Sequence, residues 1–538
     1  MSTHHRMFHG RAALPTVLTT LPILLAPLLA LGACNGSNGT GSTSGGATGQ
    51  TRTLSFQLAS QEIVESSGTT QIRIDVSSAF DGPVTLPFTV SGTATENDDF
   101  TIDSSPLTIA AGQTTAVIDL TLVDDDEFEG AETLTIGLLP PSFGTLTNVT
   151  EFTATIHDHE LGGPLDGLTQ DELDAFHRGK VQFERRFQPS EGLGPFYNAT
   201  SCAACHSHPI SGGASQVYRN FFLATYFVGT IANQGGAIGP GLSKIVPSYG
   251  TGPNHSSAVF ALDGGRPAIP EMFNGEPVIT AQRNAIPIFG TGLFEFISDA
   301  TIKSNEDIND LNGDGISGRA NTTLDGMAIG RFGVKAQVNN VELFTRGPLQ
   351  NQMGITTDPL LGSGGIISLG AAAQEGSDPN QATLDDDGHN DPEMLPNELA
   401  DLIAFTRFLG PPLPKTMDDA ALHGKSLFTD LRCAACHIPE LPSSRGPVRA
   451  YTDLLLHDMG PDLADNFIFG DVGDTTQEFR TQPLWGISDV GPYLHDGRAG
   501  TLSEAILLHG GEAQLSRNAF TGLSAEDQAD LIHFLESL

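Results

Sequence analysis

The chain has 538 residues, 39% of them apolar and 17% charged, with 62 Gly and 33 Pro, so three or four domains with cores of their own and long loops are expected. A formal net charge of −38 argues against nucleic acid and anionic lipid headgroups as partners, and favours divalent cations and basic proteins.

Residues 1–34 read as a targeting segment. A mildly basic start (His4, His5, Arg6, His9, Arg11) precedes an apolar stretch from Leu14 to Leu31, which Pro22 and Pro27 break. It is too short and too broken for a membrane span, and it ends in Leu31-Gly32-Ala33-Cys34. Small residues followed by Cys resemble a bacterial lipobox, so Cys34 is the expected lipidation site. Several acyl chains on one N-terminus suffice for stable anchoring. Asn35 stands where Asp would argue for inner-membrane retention. The expectation is a protein secreted across the inner membrane and lipid-anchored at the outer membrane, facing the periplasm or the cell surface. Its only membrane contact is the anchor.

Residues 35–52 are a Gly/Ser/Thr tether. Residues 53–160 show period-two alternation, as in Gln71-Ile-Arg-Ile-Asp-Val and Ala116-Val-Ile-Asp-Leu-Thr-Leu-Val, with Gly, Asp and Pro between the runs. About seven short strands in such a length predict an all-β sandwich. From residue 164 the pattern turns helical, with long Gly-rich loops.

Five cysteines are present. Cys34 is one, and the other four fall in Cys202-Ala-Ala-Cys205-His206 and Cys433-Ala-Ala-Cys436-His437. Two thiols at this spacing can add to the two vinyl groups of a haem edge, and the next His then reaches the iron from below. Two covalent c-type haems are expected, with His206 and His437 as proximal ligands. An internal repeat frames the motifs. His177-Arg-Gly179-Lys180-Val-Gln-Phe precedes the first, and His423-Gly424-Lys425-Ser-Leu-Phe precedes the second. Similar amphipathic stretches, Glu398 to Leu409 and Asp527 to Leu535, close each half. An opening helix, a haem loop and a closing helix predict two mainly α cytochrome c-like haem domains. They cover 164–412, with a large insertion, and 413–538.

Gly192-Leu-Gly-Pro-Phe-Tyr-Asn-Ala-Thr-Ser-Cys-Ala-Ala-Cys-His, Asp310-Leu-Asn-Gly-Asp-Gly-Ile-Ser-Gly-Arg, Tyr451-Thr-Asp-Leu-Leu-Leu-His-Asp-Met-Gly, Pro483-Leu-Trp-Gly through Gly491-Pro-Tyr-Leu-His-Asp-Gly-Arg, and Ala505-Ile-Leu-Leu-His509-Gly-Gly-Glu-Ala follow in order. Together they resemble the bacterial di-haem oxidoreductases, distant relatives of the di-haem cytochrome c peroxidases. The resemblance covers about 164–538. It implies His509 as sixth ligand of the second haem, with His457 and Met459 as competitors and His495 as a hydrogen-bonding neighbour. The related peroxidases place a Trp between the haems and, over the first iron, a Gln and then a carboxylate. The matching positions here are Val334, Phe344 and Gln352, and none keeps the expected side chain. Gln352 is therefore a candidate catalytic residue that can only hydrogen-bond, with Glu342 and Glu295 as substitute carboxylates. Trp485, the only Trp, lies in the second half. No clear sixth ligand exists for the first iron; His208 is too near His206, and His255 is a weaker option.

Two acidic patterns point to calcium. Asp310, Asn312, Asp314 and Ser317 alternate around a Gly as at the start of an EF-hand loop, without the closing Glu. In the sandwich, Val64-Glu65-Ser-Ser-Gly, Gly92 to Phe100, Asp124 to Glu132 and Ile156-His-Asp158 resemble a Calx-β domain. That resemblance implies calcium at Glu65, Asp99, Asp125, Asp126, Glu129, Glu132 and Asp158, or a plain spacing role.

The leading expectation is a peroxidase-like or oxidase-like enzyme that takes peroxide or oxygen at the first haem and draws electrons from a donor the sequence does not name. The alternatives are a surface electron carrier with both irons six-coordinate, or a di-haem oxygenase.

Overall fold

The alternation in residues 53–157 produces strands because it sends every second side chain to one face. The computed structural model describes residues 51–124, 130–158, 161–226, 245–251, 262–263, 266–323, 328–358, 360–362, 365–367, 389–465, 467 and 476–538. Cys34, Asp125, Asp126, Glu129 and His255 lie outside them. Among the described residues, eleven strands form the N-terminal part: β1 (Thr53–Phe56), β2 (Ser60–Val64), β3 (Thr69–Val76), β4 (Val84–Leu86), β5 (Phe88–Gly92), β6 (Phe100–Ile102), β7 (Leu107–Ile109), β8 (Thr115–Leu122), β9 (Glu132–Leu138), β10 (Thr145–Leu146) and β11 (Glu151–His157). One sheet runs β10-β1-β3-β8-β6, a second β2-β11-β9-β5, and β4 pairs with β7 in a ladder of their own. Antiparallel register pairs Ile72 with Ile118, and β2 lies parallel to β11. Ile72, Ile74, Ile118, Leu120, Leu134, Ile136, Phe152 and Ile156 are buried between the sheets. Each such side chain contributes about 1.5–3 kcal/mol, so the core and not the short ladders holds this sandwich together.

The second part is built on two helix pairs. Helix α1 (Gln170–Glu184) starts at a capping box between Thr169 and Glu172. It packs on α2 (Pro396–Phe408), and α3 (Asp419–Asp430) packs in the same way on α4 (Ala525–Glu536). Equivalent residues make equivalent contacts. A Cβ on Gly179 would lie 2.0 Å from Asp401 O, and one on Gly424 would lie 2.0 Å from Asp530 O. Phe183 meets Phe405 at 4.8 Å between ring centroids, and Phe428 meets Phe534 at 5.4 Å. Arg178 pairs with Asp401, and His423 with Asp530. The Gly-Lys-x-x-Phe repeat is thus the contact surface of a close helix crossing. One hydrophobic core runs from Leu165 to Val490 and takes residues from both halves, including Leu454 and Trp485; a smaller one gathers Phe428, Leu484, Leu502, Phe520 and Phe534.

Within the insertion, an antiparallel pair, Phe221–Tyr226 and Glu276–Arg283, stands where the sequence shows only Gly-rich loop character. The sandwich meets the helical part through polar contacts. Arg73 Nη1 donates to both carboxylate oxygens of Asp419 at 2.9 and 2.8 Å, and Gln61 Nε2 donates to Thr416 Oγ1 at 2.7 Å. His157 sits between Glu62 and Asp166, 2.6 Å from each, and Glu62 also pairs with Arg449. None of the described helices is long and apolar enough to cross a membrane.

Candidate haem sites

Each Cys-Ala-Ala-Cys-His run opens as a single 3-10 turn, Cys202–Ala204 and Cys433–Ala435. In both, the His backbone N–H donates to the first Cys carbonyl at 3.0 Å, which folds the imidazole back against its helix pair. Phe183 lies 6.2 Å from the His206 ring, and Phe428 lies 6.4 Å from that of His437. Both imidazoles are fixed through Nδ1: His206 donates to Gly213 O at 3.2 Å and His437 to Tyr451 O at 2.9 Å. A carbonyl only accepts, so the proton of His437 is on Nδ1 and its Nε2 keeps its lone pair; His206 has a second backbone partner in Ile286. Burial pushes His437 down to about 4 and lowers His206 as well, so both rings are neutral and able to ligate a metal. Burial also raises the thiols, Cys202 to about 12 and Cys433 to about 11, which leaves them poor nucleophiles on their own.

The second site opens into a largely apolar cavity of about 260 Å³. Cys433, Cys436 and His437 line it, together with His509. His509 follows the helix α5 (Leu502–Leu508) as its C-terminal cap; Nδ1 donates to Ala505 O at 2.7 Å, and burial lowers its pKa. Each of the two histidines therefore presents a neutral ring to a common space, as an iron held between two imidazoles requires.

The competing ligands differ. His457 is buried, its Nε2 2.8 Å from Asp453 and its Nδ1 2.7 Å from Glu512, with Cys436 Sγ at 3.6 Å. Burial opposes its charge, but the hydrogen bonds to Asp453, Cys436 and Glu512 prevail and hold it well above its usual range. A ring with both nitrogens bound to carboxylates has no lone pair to offer. Met459 lines the cavity without such a constraint. His495 stacks on Phe479 at 4.2 Å, and burial followed by the Arg283 charge pushes it down to about 4.

The loop Asp310–Ser317 docks on this site. Asp314 pairs with Arg432, the residue before Cys433, at 2.6 Å, while Ser317 donates from N and Oγ to Glu512, the partner of His457. The other two oxygen-bearing side chains turn to the loop's own backbone: Asp310 Oδ1 accepts from the N–H of Asp314 and Gly315, and Asn312 Oδ1 accepts from that of Asp314. At the sandwich end Glu65 and Asp99 are buried, Asp99 accepts from Thr95 N, and Asp158 accepts from Gly130 N; Glu132 begins β9. Among the described residues no group of three or more His, Cys, Asp or Glu side chains is gathered to hold a metal ion.

Around the first motif, Gln352 lies in a π-helical turn, Leu349–Met353, that follows helix Val341–Pro348. Its Oε1 accepts from Asn198 Nδ2 at 3.0 Å, and its carbonyl accepts from the N–H of Asn198 and Ala199, just before Cys202. Glu295 and Glu342 are engaged elsewhere, with Arg407 and Arg346, both at 2.7 Å. Val334 lines the second cavity and Phe344 packs on Phe332. Trp485 is buried and stacks on Phe294 of the first half, centroids 5.7 Å apart.

Sequence reasoning missed Arg480. It is buried, lines the second cavity, and donates through Nε to Gly333 O and through Nη2 to Gln482 Oε1, while Nη1 has no hydrogen-bond partner. Burial pulls it down to about 10, so it remains charged at neutral pH. Only its place beside a Pro-Leu-Trp-Gly motif could have drawn notice. An orphaned cation and two neutral imidazoles in an apolar cleft fit a haem, whose carboxylates need a counter-charge and whose iron needs axial nitrogens.

Two Cys-x-x-Cys-His turns, each backed by the same helix crossing, define a protein of the di-haem class. Residues 269–538, half of the chain, match the family model described as "Di-haem oxidoreductase, putative peroxidase", and the chain belongs to that family. Residues 49–160 match the Calx-beta domain model. A curated relative, methylamine utilization protein MauG of Methylorubrum extorquens, is 33% identical over 130 residues, which is 22% of this chain and 34% of that protein; the match thus spans about a third of the relative. Among solved structures, the apo Calx CBD1 domain is 23% identical, covering 21% of this chain and 100% of its own, with a TM-score of 0.19. Hydrazine synthase of Kuenenia stuttgartiensis is 24% identical, covering 27% of this chain and 55% of its own, with a TM-score of 0.20.

Proposed function

We propose that this chain is a di-haem c-type oxidoreductase, with one haem bound through Cys202, Cys205 and His206 and the other through Cys433, Cys436, His437 and His509. The observation that carries the reading is the pair His437 and His509 in one cavity, each with its Nδ1 proton committed to a backbone carbonyl. The repeated helix crossings are read as two cytochrome c-like domains that share a core. Bound haems would supply one-electron chemistry and, at an open iron, a binding position for peroxide or oxygen. The chain's residues do the rest. His437 and His509 would each offer a neutral imidazole nitrogen to the second iron, which would suit electron storage. Asp453 and Glu512 keep His457 protonated, with no lone pair to offer an iron. Gln352 is tied to the first haem loop through Asn198, where it can orient a bound oxidant but cannot move a proton.

The ion pairs of Glu295 and Glu342 support a second reading, a surface electron carrier, because they leave neither carboxylate free to act as an acid. Lipidation at Cys34, placement at the outer membrane and calcium at the acidic end of the sandwich belong to the same proposal. Electron paramagnetic resonance of the oxidised and half-reduced protein, with and without peroxide, tests it. One low-spin and one high-spin haem, the latter altered by peroxide, is the expected result. Two low-spin haems indifferent to peroxide would leave only the carrier.

A further inference from the structure

A buried guanidinium with an unmade hydrogen bond is costly, because the desolvation of a charged donor goes uncompensated. Arg480 is such a group: 3% exposed, on the wall of the second cavity, with Nη1 unpartnered. Nε and one N–H of Nη2 are already taken. Nε is held by Gly333 O at 3.1 Å and Nη2 by Gln482 Oε1 at 2.8 Å, while the backbone N–H is held by Val334 O at 2.8 Å. The guanidinium carbon lies 5.8 Å from the centroid of Phe294, a first-half side chain, so the head group sits where the two halves meet. Two more arginines line the cavity. Arg432 is spent on Asp314, and Arg517 is partly exposed beside His509. Arg480 alone among them combines full burial with a free donor.

We infer that the Arg480 guanidinium is the anchor for a propionate carboxylate of the second haem. The pairing satisfies the orphaned N–H, neutralises a carboxylate that would otherwise enter an apolar cleft uncompensated, and fixes the haem edge against the first half through Gly333 and Phe294. It also sets the redox poise. A cation matched to the propionate favours the reduced iron, which carries one positive charge fewer. This inference rests on the haem assignment at Cys433–His437.

Arg480→Met and Arg480→Lys in the matured full-length protein test it. Intact mass first shows whether both haems are attached; a wild-type chain without the second haem would sink the haem assignment itself. With both haems present, Arg480→Met is expected to shift the second-haem reduction equilibrium about tenfold toward the oxidised form, ~59 mV for one electron. The propionate-bending band of that haem in resonance Raman should move as well. Arg480→Lys should recover most of the potential while its Raman band still differs from wild type, since the charge returns without the guanidinium geometry. The lysine variant serves alone if the methionine variant does not fold. An unchanged propionate band in Arg480→Lys, or unchanged potential and band in Arg480→Met, overturns the inference. So does a shift confined to the first haem.

Discussion

At the end of helix α5 the His509 ring donates from Nδ1 to Ala505 O and faces the same cavity as His437, so capping the helix and offering Nε2 are compatible roles for one side chain. Imidazole on both sides makes an iron low-spin. His509→Ala should therefore turn the second haem high-spin with its covalent attachment intact, as read by electron paramagnetic resonance; an unchanged spin state would refute the ligand. Gln352 presents the opposite case, a position where a proton carrier is missing. Its amide oxygen accepts from Asn198, and a carboxylate could keep that bond. Gln352→Glu should raise peroxide turnover by about 10²-fold, the usual worth of a placed acid–base group. Fast wild-type turnover indifferent to this residue would mean the oxidant binds elsewhere. The two Cys-x-x-Cys-His runs could be read from their spacing and His509 from its motif, while their role as haem ligands belongs to the proposal above. Arg480 was not, because its importance depends on which of its donors the fold leaves unmet.

Between helices, the repeat works through two glycines. A methyl group on Gly179 or Gly424 would lie 2.0 Å from a carbonyl oxygen of the crossing helix, so each crossing depends on the absence of a side chain. Gly179→Ala and Gly424→Ala should each destabilise the protein by about 1–3 kcal/mol or more, the typical cost of overpacking. Thermal unfolding measures this, and a melting temperature within error of wild type in both would contradict the crossing. This repeat could be read from the chain because Gly-Lys-x-x-Phe recurs ahead of both haem motifs. The sheet pair Phe221–Tyr226 and Glu276–Arg283 could not, since a short apolar run such as Phe221-Phe-Leu-Ala-Thr-Tyr carries no period, and its partner lies some fifty residues away. The Asp310–Ser317 sequence reads as a cation loop, and its contacts through Arg432 and Glu512 to the second site are tertiary facts without a sequence signal.

Across the whole molecule, the sandwich is joined to the helical part mainly by charge. His157 is the central group: burial opposes its protonation, yet hydrogen bonds to Asp166 and Glu62 raise it to about 9. A histidine raised on folding stabilises fully below its unfolded value, near 6.5, and loses that contribution as pH rises through about 9. The shift is worth at most about 3 kcal/mol. The melting temperature should accordingly fall between pH 6.5 and 9.5, and His157→Gln should flatten that fall; an equal slope in the variant would show that other groups carry it. Period-two alternation made the sandwich legible, but its docking through Arg73, Glu62 and Arg449 was not, because these read as ordinary surface charges. Anchoring at Cys34 predicts that Cys34→Ala moves the protein from the membrane fraction to the soluble one, and a variant that stays with the membrane through detergent-free washing would count against it. The central claim is that two haems are covalently held, and intact-mass spectrometry of the matured chain addresses it most directly. Wild type should carry two haem additions, and Cys202→Ala and Cys433→Ala should each carry one fewer; a wild-type mass without haem, or two covalent haems retained in either variant, would contradict the account.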